Sequence, residues 1–327
     1  MRRREFVRLI GCVAATAAWP RRARAQQQKM PVVGFLNAGS PGGYAVYVTG
    51  FLHGLNEGGY VEGKNVTIDY QWARGQYDRL QVMAADLVRR KVAVIAANTP
   101  AAPVAKAATT KIPIVFVSTG DPVMVGLVTS FDRPGGNATG VGLLGLELEG
   151  KRLGLLHQFV PGTTQIGVLV NPMNPAANLQ LRELQESADA IKRQIDILRA
   201  STALNIETAF ANAAQQKTAA LLIVQDPFYN SQRDQLVALA AHHKLPVMYP
   251  LREFAEIGGL VSYGHDLVDG YREMGVYAGR ILKGEKPADI PVVQPTKFEF
   301  VINLKTAKTL GLTIPPSLFT TADAVIE

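Results

Sequence analysis

Residues 112–140, IPIVFVSTGDPVMVGLVTSFDRPGGNATG, predict how this chain folds. The stretch opens with the apolar run IPIVFV, turns polar at Ser118, Thr119, Gly120 and Asp121, and continues with Pro122. An apolar run that ends in a polar loop is typical of a buried strand in a parallel sheet. Ligands of open α/β sheets bind just outside the carboxyl ends of such strands. The stretch therefore predicts a buried strand followed by a candidate binding loop.

The same pattern of apolar strands and helix-length connections recurs along the chain. It defines two similar halves, roughly residues 30–143 and 147–263, each of which reads as a series of βαβ units. A long helix at residues 266–283 and a strand at 298–304 follow, and they suggest that the chain crosses back between the halves. The sequence therefore predicts an α/β fold with two parallel-sheet, Rossmann-like lobes.

Residues 1–25 predict an export signal. A basic start is followed by the apolar residues 9–19 and by Ala23-Arg24-Ala25, a small-x-small cleavage site. Within the basic start, RREFV at residues 3–7 favours the twin-arginine route, and an ordinary export signal is the alternative. Both routes lead to the periplasm. The apolar core is too short for a permanent membrane span, and we expect none elsewhere in the chain.

The charge and cysteine content of the chain change when this signal is removed. It contains seven arginines and one glutamate, so its loss lowers the formal charge from +7 to about +1, which argues against a nucleic-acid partner. Cys12, the only cysteine, also leaves, which excludes disulfides and thiolate metal sites. Residues 9–12, LIGC, also match a lipoprotein cleavage box, although almost no apolar stretch precedes it.

A polar residue followed by proline recurs at the predicted strand ends. These pairs are Ser40-Pro41, Thr99-Pro100, Asp121-Pro122, Asn171-Pro172 and Asp226-Pro227. Each pair alone is typical of a helix cap. Taken together, they predict loops that face each other across a cleft, where free helix-start N–H groups bind a carboxylate. Asp121 or Asp226 would then bind an ammonium group.

Motifs for cofactors, metals and catalysis are weak or missing in the sequence. Residues 140–145, GVGLLG, match the dinucleotide fingerprint G-x-G-x-x-G but lie within an apolar segment instead of after a strand. The five histidines lack the spacing of metal ligands, and neither a nucleophile elbow nor a phosphate-loop lysine is present. We therefore expect no cofactor, no metal and no catalytic site.

Several short motifs spread over nearly the whole chain resemble one known family. They are GFL at 34–36 with GSP at 39–41, GLNEGGYVEGKN at 54–65, GDPV at 120–123, RPGGN at 133–137, VNP at 170–172, GGLVSYG at 258–264 and GEKP at 284–287. Through them the chain resembles the substrate-binding proteins of ATP-driven (ABC) importers, in a subfamily related to aromatic-amino-acid binders.

The resemblance implies a type I periplasmic-binding-protein fold, whose two lobes are joined by a three-crossing hinge and close on a small ligand. The crossings would fall near residues 141–146, 263–266 and 288–292. Lobe 1 would comprise residues 26–143 and 265–290, and lobe 2 would comprise residues 144–264 and 291–327. The implied ligand-binding residues follow the strand ends: Asn37, Ser40, Asn98, Thr99, Ser118, Thr119, Asp121, Asn171, Asn174, Asp226, Phe228 and Tyr263.

The implied function is that of a periplasmic receptor that delivers a small molecule, such as an amino acid or related organic acid, to an ABC permease and its ATPase subunits. An exported two-domain α/β enzyme is the main alternative. A transcription regulator is a second one, because the same lobes occur in sugar-type repressors. It would require a helix-turn-helix ahead of the first strand, where this chain has its export signal.

Overall fold

Two sheets built mainly from parallel strands organise the chain, as the alternation of strands and helices predicted. The computed structural model describes residues 30–145, 148–162 and 165–327. Of these, the segment Pro31–Glu327 forms one compact unit. The predicted export signal at residues 1–25 lies outside the described residues.

The first sheet is entirely parallel. Its strands are β1 (Val32–Asn37), β2 (Thr67–Trp72), β3 (Val94–Asn98), β4 (Ile114–Ser118) and β5 (Ala138–Gly142), in the order β2-β1-β3-β4-β5. The helices that connect them are α1 (Pro41–Glu57), α2 (Leu80–Arg90) and α3 (Ala101–Ala108), and a 3-10 turn at Tyr77–Arg79 leads into α2. Every residue of β3 and β4 is buried, which explains the continuous apolar runs in the sequence.

The second sheet has seven strands. They are β6 (Gln165–Val170), β7 (Gln194–Arg199), β8 (Leu221–Ile223), β9 (Val247–Tyr249), β10 (Val261–His265), β11 (Phe298–Asn303) and β12 (Ala324–Ile326), in the order β12-β11-β10-β9-β8-β6-β7. Only the pairing of β10 with β11 is antiparallel. The helices in this part of the chain are α4 (Leu148–Phe159), α5 (Ala177–Ala190), α6 (Ala203–Gln215), α7 (Pro227–Ser231), α8 (Arg233–His242) and α9 (Arg252–Glu256).

The remaining elements link the two sheets. Helix α10 (Leu267–Leu282) follows β10 but packs on α1 and on the first sheet, whereas α11 (Leu304–Thr309) and α12 (Pro316–Thr321) belong with the second sheet. We call the first sheet with α1–α3 and α10 the first lobe. The second sheet with α4–α9, α11 and α12 is the second lobe.

The chain passes between the sheets at three neighbouring places. The first passage follows β5, the second lies between β10 and α10, and the third follows the 3-10 turn at Pro287–Asp289. The third pairs with the first, because Val293 N donates to Gly140 O at 3.0 Å and Gly142 N donates to Val293 O at 2.9 Å. In addition, the Thr139 hydroxyl donates to Ile290 O at 2.7 Å. The first and third passages are thus hydrogen-bonded to each other.

Glycines allow α1 and α10 to pack unusually closely. A Cβ added to Gly54 of α1 would lie 1.8 Å from Arg272 O of α10, and one added to Gly275 of α10 would lie 2.1 Å from Phe51 O of α1. Real Cβ atoms do not approach a carbonyl oxygen this closely, so each position requires glycine. The pair anchors α10, which follows the second passage, to the first lobe.

Helix α12 and strand β12 follow residues 312–315, and β12 adds a parallel edge strand beside β11. The apolar residues 123–128 form no regular element, and Met124 is 75 % exposed. The Asp121 carboxylate caps the turn at the start of this segment by accepting from Val123 N at 2.7 Å.

Candidate ligand-binding cleft

A small cavity lies between the lobes at the carboxyl ends of the strands. Its volume is about 20 Å³, enough for one water-sized group. The residues that line it come from both lobes and are all uncharged: Tyr44, Asn98, Thr99, Val117, Thr119, Gln225, Pro227, Asn230, Leu267 and Tyr271. Aromatic walls with a few polar groups are typical of sites for small organic molecules.

Strand-end amides hold the first-lobe wall in place. Asn98, at the end of β3, accepts from Ala38 N at 3.0 Å and donates to Asn37 Oδ1 at 3.3 Å. Asn37, at the end of β1, donates through Nδ2 to the Tyr271 hydroxyl at 2.9 Å. These side chains are buried, so their bonds fix the α10 tyrosine against the strand ends.

The predicted residues at the ends of β3 and β4 do not all line the cavity. Thr99 and Thr119 line the cavity, and the Thr99 hydroxyl donates to Ser118 Oγ at 2.9 Å. Ser118 is buried beside them and donates to Gly120 O at 2.9 Å. Asp121 does not line the cavity, because its carboxylate caps the following turn.

Asp226 is the centre of a buried polar network in the second lobe. Its carboxylate accepts from Asn171 Nδ2 at 3.1 Å, Asn174 Nδ2 at 2.7 Å, Phe228 N at 2.8 Å and the Tyr77 hydroxyl at 2.8 Å. Burial raises the pKa of this carboxyl, while the hydrogen bonds from Asn171, Tyr77 and Asn174 oppose that shift. Asn171, Asn174 and Asp226 thus form one cluster behind the cavity wall, and none of them lines the cavity.

Direct hydrogen bonds connect the lobes around the cavity. The Tyr77 hydroxyl reaches Asp226 from the first lobe, and Ser40 N donates to Ser231 Oγ at 3.0 Å. The Arg233 guanidinium donates to Gly43 O at 2.9 Å. Ser40 and Asn230 also line a larger outer cavity of about 480 Å³. The protein groups themselves therefore hold this arrangement of the lobes together.

Two aromatic residues of the predicted set lie outside the cavity lining. Phe228 packs against Tyr229, with ring centroids 5.6 Å apart, and against the backbone of Gly75. Tyr263 stacks on Phe298, with ring centroids 6.0 Å apart. Tyr44 and Tyr271 supply the aromatic walls instead, and Tyr271 lies on α10, the long helix after β10.

Gln225 and Asn230 were missed as candidate site residues. Gln225 directly follows the β8 strand region, and only its neighbours Asp226 and Pro227 matched the polar-proline pattern. Asn230 lies in the short helix α7, which the sequence did not predict. The rule that strand ends carry the site would have found Gln225, whereas Asn230 required the helix.

A buried ion pair lies behind the hinge and was also missed. Arg152 and Glu149, both on α4, are fully buried, and Arg152 NH1 lies 3.1 Å from Glu149 Oε1. Arg152 Nε donates to Tyr263 O of β10 at 2.7 Å, and Glu149 accepts from Gln225 N at 3.1 Å. Burial raises the pKa of Glu149 and the guanidinium opposes that shift. The pair thus connects α4, β10 and the cavity residue Gln225.

Comparison with known proteins identifies the family. The model of the family described as ABC transporter substrate binding protein matches residues 32–326. The chain belongs to this family. It is therefore the solute-binding protein of an ABC importer, an extracytoplasmic and non-enzymatic component that takes a small-molecule ligand. This confirms the resemblance and the two-lobe fold predicted from the sequence.

Three related proteins are similar over most of the chain. The tyrosine-binding protein of Clostridioides difficile (strain R20291) is 29% identical over 269 residues, which is 80% of this chain and 76% of the relative. The solved structure of an ABC domain from Streptococcus pneumonia in complex with L-Trp is 27% identical, with a TM-score of 0.79 over 90% of this chain and 99% of that one. A conserved domain protein from Vibrio cholerae is 28% identical, with a TM-score of 0.81 over 91% and 100% of the two chains.

The described residues have neither a metal-binding cluster nor a membrane-spanning helix. They contain no group of three or more His, Cys, Asp or Glu side chains that could hold a metal ion. Within the same ranges, no helix is both long and apolar enough to cross a membrane.

Proposed function

We propose that this substrate-binding protein captures an aromatic amino acid, tyrosine or tryptophan, in the cleft between its lobes. The observation that carries the proposal is the composition of the cavity wall, where Tyr44 and Tyr271 lie beside uncharged polar groups from both lobes. A zwitterion has no net charge, so an uncharged wall suits it better than a cationic or anionic solute. The relatives that bind tyrosine and L-Trp support the same ligand class.

The proposed mechanism is hinge closure. An amino acid does not fit a cavity of about 20 Å³, so the lobes separate to admit it and then close against it. A ligand that contacts both walls stabilises the closed state by its difference in affinity for the two states. From the predicted site, Asn98, Thr99 and Thr119 are proposed to contact the ligand. The other members, Asn37, Ser40, Ser118, Asp121, Asn171, Asn174, Asp226, Phe228 and Tyr263, are proposed to support these contacts.

We propose that residues 26–143 with 265–290 move as one lobe and residues 144–264 with 291–327 as the other. The export signal at residues 1–25 is removed first, in the periplasm. The permease and ATPase subunits of the importer are the proposed partners, and nucleic acid is not one. A reporter fused after residue 30 tests the twin-arginine route. The reporter is expected to be exported, and export is expected to be lost when Arg3 and Arg4 are changed to lysine.

A thermal-shift screen of the purified protein tests the ligand assignment. L-tyrosine or L-tryptophan at 1,000 times its dissociation constant is expected to add about 4 kcal/mol to the free energy of unfolding. Lysine, arginine and glutamate at the same concentration are expected to raise the melting temperature much less. A larger shift in melting temperature with a charged amino acid would contradict the proposal, and so would the absence of a shift with both L-tyrosine and L-tryptophan.

A further inference from the structure

We propose that Gln225 and Asn230, together with the backbone carbonyl of Thr119, bind the α-ammonium group of the ligand through uncharged oxygens. This assignment rests on the proposed function, because it takes the ligand to be an amino acid. It differs from the expectation drawn from the sequence, in which Asp121 or Asp226 binds the ammonium group directly. All three proposed residues line the cavity between the lobes.

Two buried side-chain oxygens in the second-lobe wall lack a hydrogen-bond donor. Gln225 is 5% exposed and Asn230 is 2% exposed, and neither Gln225 Oε1 nor Asn230 Oδ1 has a partner. A buried acceptor without a donor destabilises the state that buries it. A donor group of the ligand that reaches these oxygens removes this penalty and favours closure.

The size of the cavity and the proximity of two of its oxygens suit an ammonium group. The space of about 20 Å³ accommodates one group of the size of water, and an ammonium head is of that size. A Cβ added to Gly145 would lie 2.6 Å from Gln225 Oε1 and 3.3 Å from Thr119 O, so these two oxygens lie close to each other beside Gly145. Asn230 lines the same cavity, and its Oδ1 would supply the third acceptor for the three donors of an ammonium group.

The charge behind the wall favours a cation in the cavity. Asp226 directly follows Gln225, is fully buried, and receives its hydrogen bonds from uncharged donors. No lysine or arginine in the described part of the chain forms an ion pair with it. Its carboxylate is occupied by protein donors, so it attracts the ammonium group through its field and leaves the contact to the amide oxygens.

The hydrogen bonding of Asn230 argues against a carboxylate at this place. Asn230 Nδ2 donates to the Tyr44 hydroxyl at 3.5 Å, which leaves the amide oxygen as the group without a partner. A carboxylate beside Asn230 Oδ1 and Thr119 O would meet acceptors in place of donors. The carboxylate of the ligand therefore lies elsewhere in the cleft.

A titration of variants against three related ligands tests the assignment. The ligands are L-tyrosine, 3-(4-hydroxyphenyl)propionate, which lacks the ammonium group, and tyramine, which lacks the carboxylate. Calorimetry of Gln225→Leu and Asn230→Leu is expected to give dissociation constants at least about tenfold higher for L-tyrosine and tyramine, with that of the propionate unchanged. Gln215→Leu, an exposed substitution on the same lobe, is the matched control and is expected to change none of the three.

Several other outcomes of the titration would overturn the assignment. Equal weakening of L-tyrosine and the propionate, or no weakening of L-tyrosine, would overturn the assignment. Weakening of the propionate with tyramine spared would show that the amides bind the carboxylate, which also overturns it. If Gln225→Leu does not fold, Gly145→Ala supplies the same test, because its methyl group would displace Gln225 Oε1. If the wild type binds none of the three and does not bind L-tryptophan either, the proposed function itself fails and this assignment falls with it.

Discussion

At the scale of single residues, the buried Arg152–Glu149 ion pair behind the hinge is sensitive to the replacement of either partner. Replacement of Arg152 by methionine leaves Glu149 as a buried, uncompensated carboxylate. We expect Arg152→Met to lower the free energy of unfolding by about 3 kcal/mol. The double variant Glu149→Gln/Arg152→Met is expected to recover most of this loss, since it removes both charges. Denaturant titrations measure the free energy of unfolding of both variants. An Arg152→Met variant within about 1 kcal/mol of the wild type would contradict this expectation.

His265, at the end of β10, makes stability depend on pH. Burial, together with the nearby Arg152 guanidinium, lowers the pKa of this histidine from 6.5 to about 4, and the Leu143 backbone opposes part of the shift. Because the unfolded chain binds the proton first, stability is expected to fall as the pH drops from about 6.5 to about 4. His265→Gln should show a smaller fall in melting temperature over this range. Parallel melting curves for the two proteins would contradict the assignment.

At the scale of elements, the close contact of α1 with α10 is a specific requirement of the fold. Gly54→Ala would place a methyl carbon 1.8 Å from Arg272 O, so the helices must move apart. We expect a loss of about 3 kcal/mol in the free energy of unfolding. Gly42→Ala, in the same helix, has no atom within 4 Å of the added carbon and is expected to change stability by less than about 0.5 kcal/mol. Similar denaturation midpoints for the two variants would refute the packing argument.

The elements also show how far the sequence predicts the fold. Short apolar runs separated by helical patterns were sufficient to predict most strands of both sheets, because a buried parallel strand is apolar throughout. The strands β5 and β12 were not predicted. The short α7 was missed, since its five residues, Pro227–Ser231, carry no periodic signal. The close helix contact was missed as well, because Gly50 and Gly54 read as weak helix residues until their partner helix is known.

The candidate site was harder to predict than the elements. The strand-end rule found Asn98, Thr99 and Thr119, which line the cavity, because parallel strands end at one edge of their sheet. It also selected Asp121 and Asp226, whose carboxylates accept bonds from protein donors. The sequence cannot distinguish a polar side chain that is already satisfied from one that is free, since this depends on neighbours that are distant in the chain.

At the scale of the whole molecule, the hydrogen bonds across the cleft influence the balance between open and closed states. Tyr77→Phe removes the hydroxyl that donates to the buried Asp226 and leaves the other three donors in place. We expect the ratio of closed to open molecules without ligand to fall about tenfold, because a hydrogen bond to a charged group is lost. The variant should keep the fold of each lobe.

Energy transfer between dyes on the two lobes measures this ratio. Gln81→Cys and Asn212→Cys introduce labelling sites at exposed positions on the first and second lobes, and Cys12 is the only native cysteine. Tyr70→Phe is the matched control, because the Tyr70 hydroxyl bonds to Glu62 within the first lobe. An unchanged ratio in Tyr77→Phe, or an equal change in Tyr70→Phe, would refute the role of the cross-cleft bond.

A crystal structure of the protein with L-tyrosine or L-tryptophan would test the claim that the cleft between the lobes binds an aromatic amino acid. We expect electron density for the amino acid between the two sheets, with its ring beside Tyr44 and Tyr271 and its ammonium group within hydrogen-bond distance of Gln225 Oε1. We also expect the lobes to lie further apart than in the present arrangement, because the cavity of about 20 Å³ must enlarge. Density for the amino acid outside the cleft, at a concentration that saturates binding in solution, would contradict the claim.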